Sequence, residues 1–174
     1  MLNRQRRVVV TGMGAVSPIG NSVAEMWDAM LEGKSGAAII SRFDPAEYDT
    51  KFACEVKNFD PLDHFGRKEA RKLQLFSQYG LVAGREAVAN SGLLEDASVN
   101  KDAVGVTYGS GIGGIELFRE QALVHRDHGP KRIWPFFIPM LIPDIVAGLL
   151  SIEFGLRGPN YALVSACATG NNNI

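Results

Sequence analysis

Cysteine is scarce in this chain: Cys54 and Cys167 are the only two in 174 residues. That is too few for a disulfide framework, and no Cys-x-x-Cys pair suggests zinc. A single bridge between them stays open on sequence grounds, and a reducing, cytoplasmic setting is expected. Long apolar runs are also lacking. None approaches the roughly 18 residues of a membrane span, so no membrane association is expected. Nor is there an excess of charge of one sign. A formal net charge of −1 gives no global reason to invoke nucleic acid or an anionic membrane, so any basic partner-binding surface has to be local. Repeats, low-complexity stretches and a convincing domain linker are all missing. What remains is an ordinary globular composition, 46% hydrophobic and 21% charged, long enough for one domain with a sizeable core.

The opening "MLNRQRRVVVTGMGAV" places basic residues before an apolar run, as a signal peptide does. The run is short and broken by Gly12 and Gly14, so "RRVVVTG" reads instead as a buried β-branched strand. After the loop "MGAVSPIGN", Asn21 or Ser22 can cap a helix carrying Val23, Met26, Trp27, Met30 and Leu31 at helical spacing, with Gly33 in the stop position. Residues 40–65 suggest an irregular excursion. A long helix is expected from near Lys68 to Asn90. "AVGVTYGSGIGG" reads as a second buried strand running into a glycine-rich turn. "IELFREQALVHRD" reads as helix, "KRIWPFFIP" as non-helical, and "DIVAGLLSIEFG" as an apolar helix. "RGPNYALVSACATG" reads as a strand approaching Cys167. Buried strands alternating with helices argue for α/β layers around a mainly parallel sheet.

Two stretches imitate dinucleotide sites. In "TGMGAVSPIG", Val16 and Pro18 stand where the dehydrogenase pattern needs glycine, and the proline delays the helix. "GSGIGG", residues 109–114, formally satisfies G-x-G-x-x-G, but no acid follows about 20 residues later in a strand. A tight turn packed against something close is the preferred reading. Cys167 is the more informative residue. A thiol at a strand-to-helix turn sits near backbone N–H groups and the positive helix end, both of which favour thiolate, and Ala166, Ala168 and Gly170 leave a substrate room. An inert buried cysteine is the competing reading. Nothing in the sequence ties His64, His125 or His128 to it.

"SACATG", preceded by "GLRGPNYALV", resembles the nucleophile region of β-ketoacyl-acyl carrier protein synthases. "RRVVVTGMGAVSPIGN", "LEGKSG", "RKEARK", "GSGIGG", "PFFIP" and "GLRGPN" extend the likeness in order along the chain. "RKEARK" and "PFFIP" are closer to the type II than to the type I enzyme. The resemblance implies a thiolase-like αβαβα fold, of which residues 1–174 would be an incomplete N-terminal part lacking the second half. It implies that Cys167 takes an acyl group from a carrier thioester. Malonyl-carrier protein then loses carbon dioxide, and its carbanion attacks the acyl-cysteine, with the Cys167 N–H in the oxyanion hole and no cofactor or metal required.

By the same resemblance Ile112 lines the acyl pocket, and Phe136 and Phe137 lie near a homodimer interface and help close the acyl tunnel from the partner subunit. Lys68, Arg71 and Lys72 meet the acidic acyl carrier protein, and on one continuous helix all three share a face. Asn172 departs from a histidine common in the family, with little consequence expected. The two catalytic histidines, a lysine and a glycine-rich gating loop of the family lie in its second half. Two other readings stand beside this one. A decarboxylating or chain-length-controlling subunit is opposed by Cys167 itself, since such subunits usually replace the cysteine. A carrier-binding module would keep the docking residues without chemistry.

Overall fold

A computed structural model describes residues 7–174. Ser22, in extended conformation, accepts a hydrogen bond from the Glu25 N–H and starts helix α1, Val23–Leu31. The helix stops as its sequence predicts. Gly33 adopts φ +67, its N–H reaches the Met30 carbonyl, and the Lys34 N–H reaches that of Ala29. Those paired bonds form a Schellman motif, and a left-handed residue at that position favours glycine. The irregular stretch that follows contains one antiparallel pair, β1 (Ala38–Ile39) with β2 (Phe52–Ala53).

The long helix expected from Lys68 is two helices. α2, Arg67–Ala70, ends after one turn, and α3 runs Leu75–Ser91. Between them the Lys72 and Leu73 N–H groups both fold back onto the Glu69 carbonyl, and Leu73 turns into the core. Buried Gln78, one turn into α3, donates its amide to the carbonyls of Ala70 and Leu73. The break is stable because a side chain satisfies the carbonyls it leaves behind.

β3 is Val106–Thr107, α4 Ile115–His128, α5 Phe137–Leu141, α6 Ile145–Phe154, β4 Asn160–Tyr161 and α7 Thr169–Asn172. The expectation of a non-helical "KRIWPFFIP" therefore fails at its end, where Phe137–Pro139 join α5; proline fits a first helical turn because its missing N–H has no partner there. α3 lies against α6, and a β-carbon on Gly84 would come within 2.7 Å of Leu150 Cδ2. The core gathers here: Leu81, Val82, Val146 and Leu150 pack with Phe65, Leu73, Leu117 and Met140. Arg85 locks the rim of this layer, donating two parallel bonds to Glu153 at 2.7 and 3.0 Å and a third to the His64 carbonyl.

Two predicted buried strands are corrected. Val8, Val9 and Val10 are exposed, Val8 at 91%, and they pair with no strand among the described residues. A β-branched run buries itself only against a neighbouring strand and a covering layer. Its glycines do pack: β-carbons on Gly12 and Gly14 would overlap the backbone of α3. The second strand is short and only half-buried at Val106. The loop that continues from Gly14 is fixed by α3 as well. The Glu86 carboxylate accepts the N–H groups of Ala15 and Val23, both at 2.9 Å.

Candidate functional site

β3 and β4 run parallel, with Val106 opposite Asn160 and Thr107 opposite Tyr161. Parallel strands deliver their exits to the same end of a sheet. β3 leaves into the glycine turn 109–114, and β4 leaves into the segment ending at Cys167. Asn160 fastens β4 to α6, donating to the Ala147 carbonyl at 2.8 Å and to Ser151 Oγ at 2.7 Å.

The two exits touch. A β-carbon on Gly109 would overlap the Leu163 carbonyl oxygen and reach within 2.7 Å of Thr169 Cγ2 and Asn173 Nδ2. One on Gly111 would meet the Ala166 carbonyl at 3.2 Å. Gly113 takes φ +74, and the Gly114 N–H bonds the Leu141 carbonyl at 2.9 Å, which seats the turn on α5. The dinucleotide-like glycines are thus a packing device, as preferred from sequence.

Cys167 sits in a single 3-10 turn, Ala166–Ala168, leading directly into α7. Ala166 adopts φ +50, one of two non-glycine residues with positive φ among those described. A left-handed alanine costs about 1–2 kcal/mol, so the surroundings have to enforce it. They do so through hydrogen bonds. The Ser165 N–H donates to Thr169 Oγ1 at 2.9 Å, and Asn172 Nδ2 donates to Ser165 Oγ at 2.6 Å. Asn173 Nδ2 donates to the carbonyls of Leu163 and Thr169, while its Oδ1 accepts the Leu163 N–H. Thr107 Oγ1 closes the set by donating to the Asn173 carbonyl at 2.9 Å. Cys167 is exposed, so the inert buried cysteine is not what is found. Cys54 is exposed and free too, and the bridge left open by the sequence is not formed.

Sequence reasoning did not find Thr169, Asn172 and Asn173 as braces of this turn. The signal was the polar, amide-rich run directly after the cysteine, because asparagine side chains bond nearby backbone groups readily.

The remaining predicted residues fall as follows. Ile112 is exposed at the crest of the glycine turn, one residue beyond the contact with Ala166. Phe137 packs on Phe118 with ring centroids 6.3 Å apart, whereas Phe136 is exposed and leans on Trp134 at 5.6 Å. Lys68, Arg71 and Lys72 are exposed, but the shared helical face fails. Lys68 lies in α2, Arg71 caps it, and Lys72 follows the reversal. None of the ion pairs among the described residues involves these three. Instead the Lys72 ammonium lies 4.9 Å from the centroid of the Phe136 ring. A cleft of about 500 Å³ lined by Pro18, Asn21, Lys34 and Lys57 shares no residue with the Cys167 turn. Among the described residues no three His, Cys, Asp or Glu side chains cluster as metal ligands, and no helix is long and apolar enough to cross a membrane.

The profile of the β-ketoacyl synthase N-terminal domain matches residues 5–174. The chain belongs to the β-ketoacyl synthase family. Among curated synthases it is 49% identical over 174 residues to 3-oxoacyl-[acyl-carrier-protein] synthase 2 of Staphylococcus aureus (strain COL), covering 99% of this chain and 42% of that protein. It is 51% identical over 172 residues to the synthase 2 of Vibrio harveyi, covering 98% and 41%. The chain therefore spans about two fifths of the length of these synthases. Among solved structures, a β-ketoacyl synthase from Burkholderia phymatum STM815 superposes with a TM-score of 0.80 at 28% identity, over 97% of this chain and 41% of that one. The ishigamide ketosynthase/chain length factor gives 0.75 at 29%, over 97% and 42%. A type II polyketide ketosynthase, solved with its acyl-carrier protein and bound to the hexaketide, gives 0.72 at 25%, over 97% and 44%. The fold is the expected α/β ketosynthase fold of thiolase-like type, here in its N-terminal portion.

Proposed function

We propose that this chain carries the nucleophile of a 3-oxoacyl-acyl carrier protein synthase acting in fatty acid elongation, as the N-terminal part of a longer condensing enzyme. The observation that carries the reading is the exposed Cys167 thiol, held on a turn with a left-handed residue at the common exit of two parallel strands.

In this reading Cys167 Sγ attacks the thioester carbonyl of an acyl-carrier protein, and the carrier's thiol leaves with the proton. Malonyl-carrier protein then releases carbon dioxide. The electron pair left on its α-carbon attacks the acyl-cysteine carbonyl, and the C–S bond breaks to return the thiolate. The product is a β-ketoacyl chain two carbons longer. A thiolate suits both steps because it is a good nucleophile and a good leaving group. Ile112 lines the acyl pocket, Phe136 and Phe137 lie near the dimer interface and help close the acyl tunnel from the partner subunit, and the cationic group Lys68, Arg71 and Lys72 receives the acidic carrier. Homodimerisation and a reducing cytoplasmic setting belong to the same reading. Two exposed, unpaired thiols support the latter.

Incubation of the intact protein with an acyl-carrier protein thioester, followed by mass spectrometry, tests it. One acyl group should be gained on the peptide containing Cys167, and none after Cys167→Ser. Acylation at Cys54 instead, or equally at both thiols, overturns the assignment.

A further inference from the structure

The cations assigned to carrier docking sit on a backbone that one buried side chain holds. Gln78, 5% exposed in the first turn of α3, reaches back across the break after α2. Its Nε2 donates to the Ala70 carbonyl at 3.1 Å and to the Leu73 carbonyl at 3.2 Å. Arg71 and Lys72 are the two residues between those carbonyls, and both are exposed. Gln78 Oε1 has no partner among the described residues, so the break is all that this amide bonds. In an uninterrupted helix the same two carbonyls would accept the N–H groups of Gln74 and Ser77, four residues on. The Gln78 amide takes those places and favours the broken form over the continuous one. The two forms present charge differently. A continuous helix puts Lys68, Arg71 and Lys72 on one face. Here Lys68 lies in α2, Arg71 caps it, and Lys72 follows the reversal.

We propose that Gln78 is a positioning residue for carrier docking: its amide fixes the backbone on which Arg71 and Lys72 are presented in the arrangement that the acidic carrier meets. This rests on the carrier-docking reading above. Gln78 is buried and acts only through the two cations it brackets. Cations that have to be ordered on binding bind more weakly than cations ordered beforehand, and apparent affinity falls with the fraction of molecules that hold the competent arrangement. The Lys72 and Leu73 N–H bonds to Glu69 and the burial of Leu73 persist without the amide. Loss of two neutral hydrogen bonds against that background limits the effect to about three- to tenfold in affinity.

The test is a binding cycle on the intact protein at low salt, using acyl carrier protein without an acyl group so that pocket contacts do not enter. Gln78→Met keeps the length of the side chain and removes both donors, and it should bind the carrier about three- to tenfold more weakly than the parent. In an Arg71→Ala, Lys72→Ala background the same substitution should change nothing, because the residues it acts through are gone. A second readout separates positioning from a general structural role: acylation of Cys167 by a small thioester without a carrier should keep the parental rate in Gln78→Met. If Gln78→Met does not fold, Gln78→Asn, an amide one methylene shorter, is put through the same two assays. Parental carrier affinity, an equal loss in both backgrounds, or a matching fall in acylation by the small thioester overturns the assignment. Failure of the docking reading is distinguishable, because Lys68→Glu with Arg71→Glu would then leave carrier affinity unaltered.

Discussion

Replacing Gly109 by alanine adds a single methyl group where the two strand exits meet. That methyl overlaps the Leu163 carbonyl and lies 2.7 Å from both Thr169 Cγ2 and Asn173 Nδ2, closer than carbon atoms come in proteins. The nearest obstacle is backbone, so no side-chain rotation relieves it. Forcing a methyl group into such a contact costs about 1–3 kcal/mol. Moving the Leu163 carbonyl also strains its bond from Asn173 Nδ2 and the return bond to Oδ1, at about 1 kcal/mol each. Against this stands about 0.5–1 kcal/mol from the smaller entropy of the unfolded chain. The net expectation is a loss of about 2–4 kcal/mol, read from urea unfolding of the intact protein. Alkylation of Cys167 should change as its turn loosens, while Cys54, exposed elsewhere, keeps its rate as an internal control. Gly148→Ala supplies the contrast: it lies inside α6 with nothing near its β-carbon position. Alanine there should stabilise by about 0.5–1 kcal/mol. A Gly109→Ala protein within 0.5 kcal/mol of the parent, with Cys167 alkylated at the parental rate, would refute the idea that this contact shapes the Cys167 turn.

Glu86→Ala should cost about 2–4 kcal/mol in urea unfolding, because a half-buried carboxylate accepts two backbone N–H groups. Amide exchange at Ala15 and Val23 should accelerate, and Glu86→Gln, which keeps one acceptor, should recover part of the loss. Reversing Lys68 and Lys72 to glutamate should slow carrier association and remove much of its salt dependence, measured by stopped-flow. Unaltered rates at low salt would contradict a docking role for these cations.

Local signals in the sequence transferred well to the structure. The Ser22 cap, the Gly33 stop and the helices α4 and α6 depend on side-chain spacing and on residues within one turn, which a sequence displays directly. The strand-to-helix turn that carries Cys167 was legible because small residues follow an apolar run there. The break after Ala70 was not, because its cause is the Gln78 amide reaching back, and apolar periodicity carries no record of where a carbonyl finds its donor. Val8–Val10 misled for a related reason: β-branched runs report a preference for burial, and burial depends on a partner strand. The Lys72–Phe136 contact joins residues from motifs that each looked self-contained. Asn173 was hidden because its bonds to Leu163 and Thr169 are set by a fold the single residue does not announce.

The parallel pairing of β3 with β4 has a consequence for synthesis on the ribosome. Its partners, Val106 and Asn160, are separated by all of α4, α5 and α6, so no hairpin can bring them together and their meeting is a late, slow event. The final ties of the Cys167 turn come from Asn172 and Asn173, which leave the exit tunnel after the cysteine does. Every nascent chain thus passes through an interval in which the Cys167 thiol is already in solvent while the geometry that surrounds it does not yet exist. Oxidants and electrophiles present during translation can reach this thiol before its turn is braced.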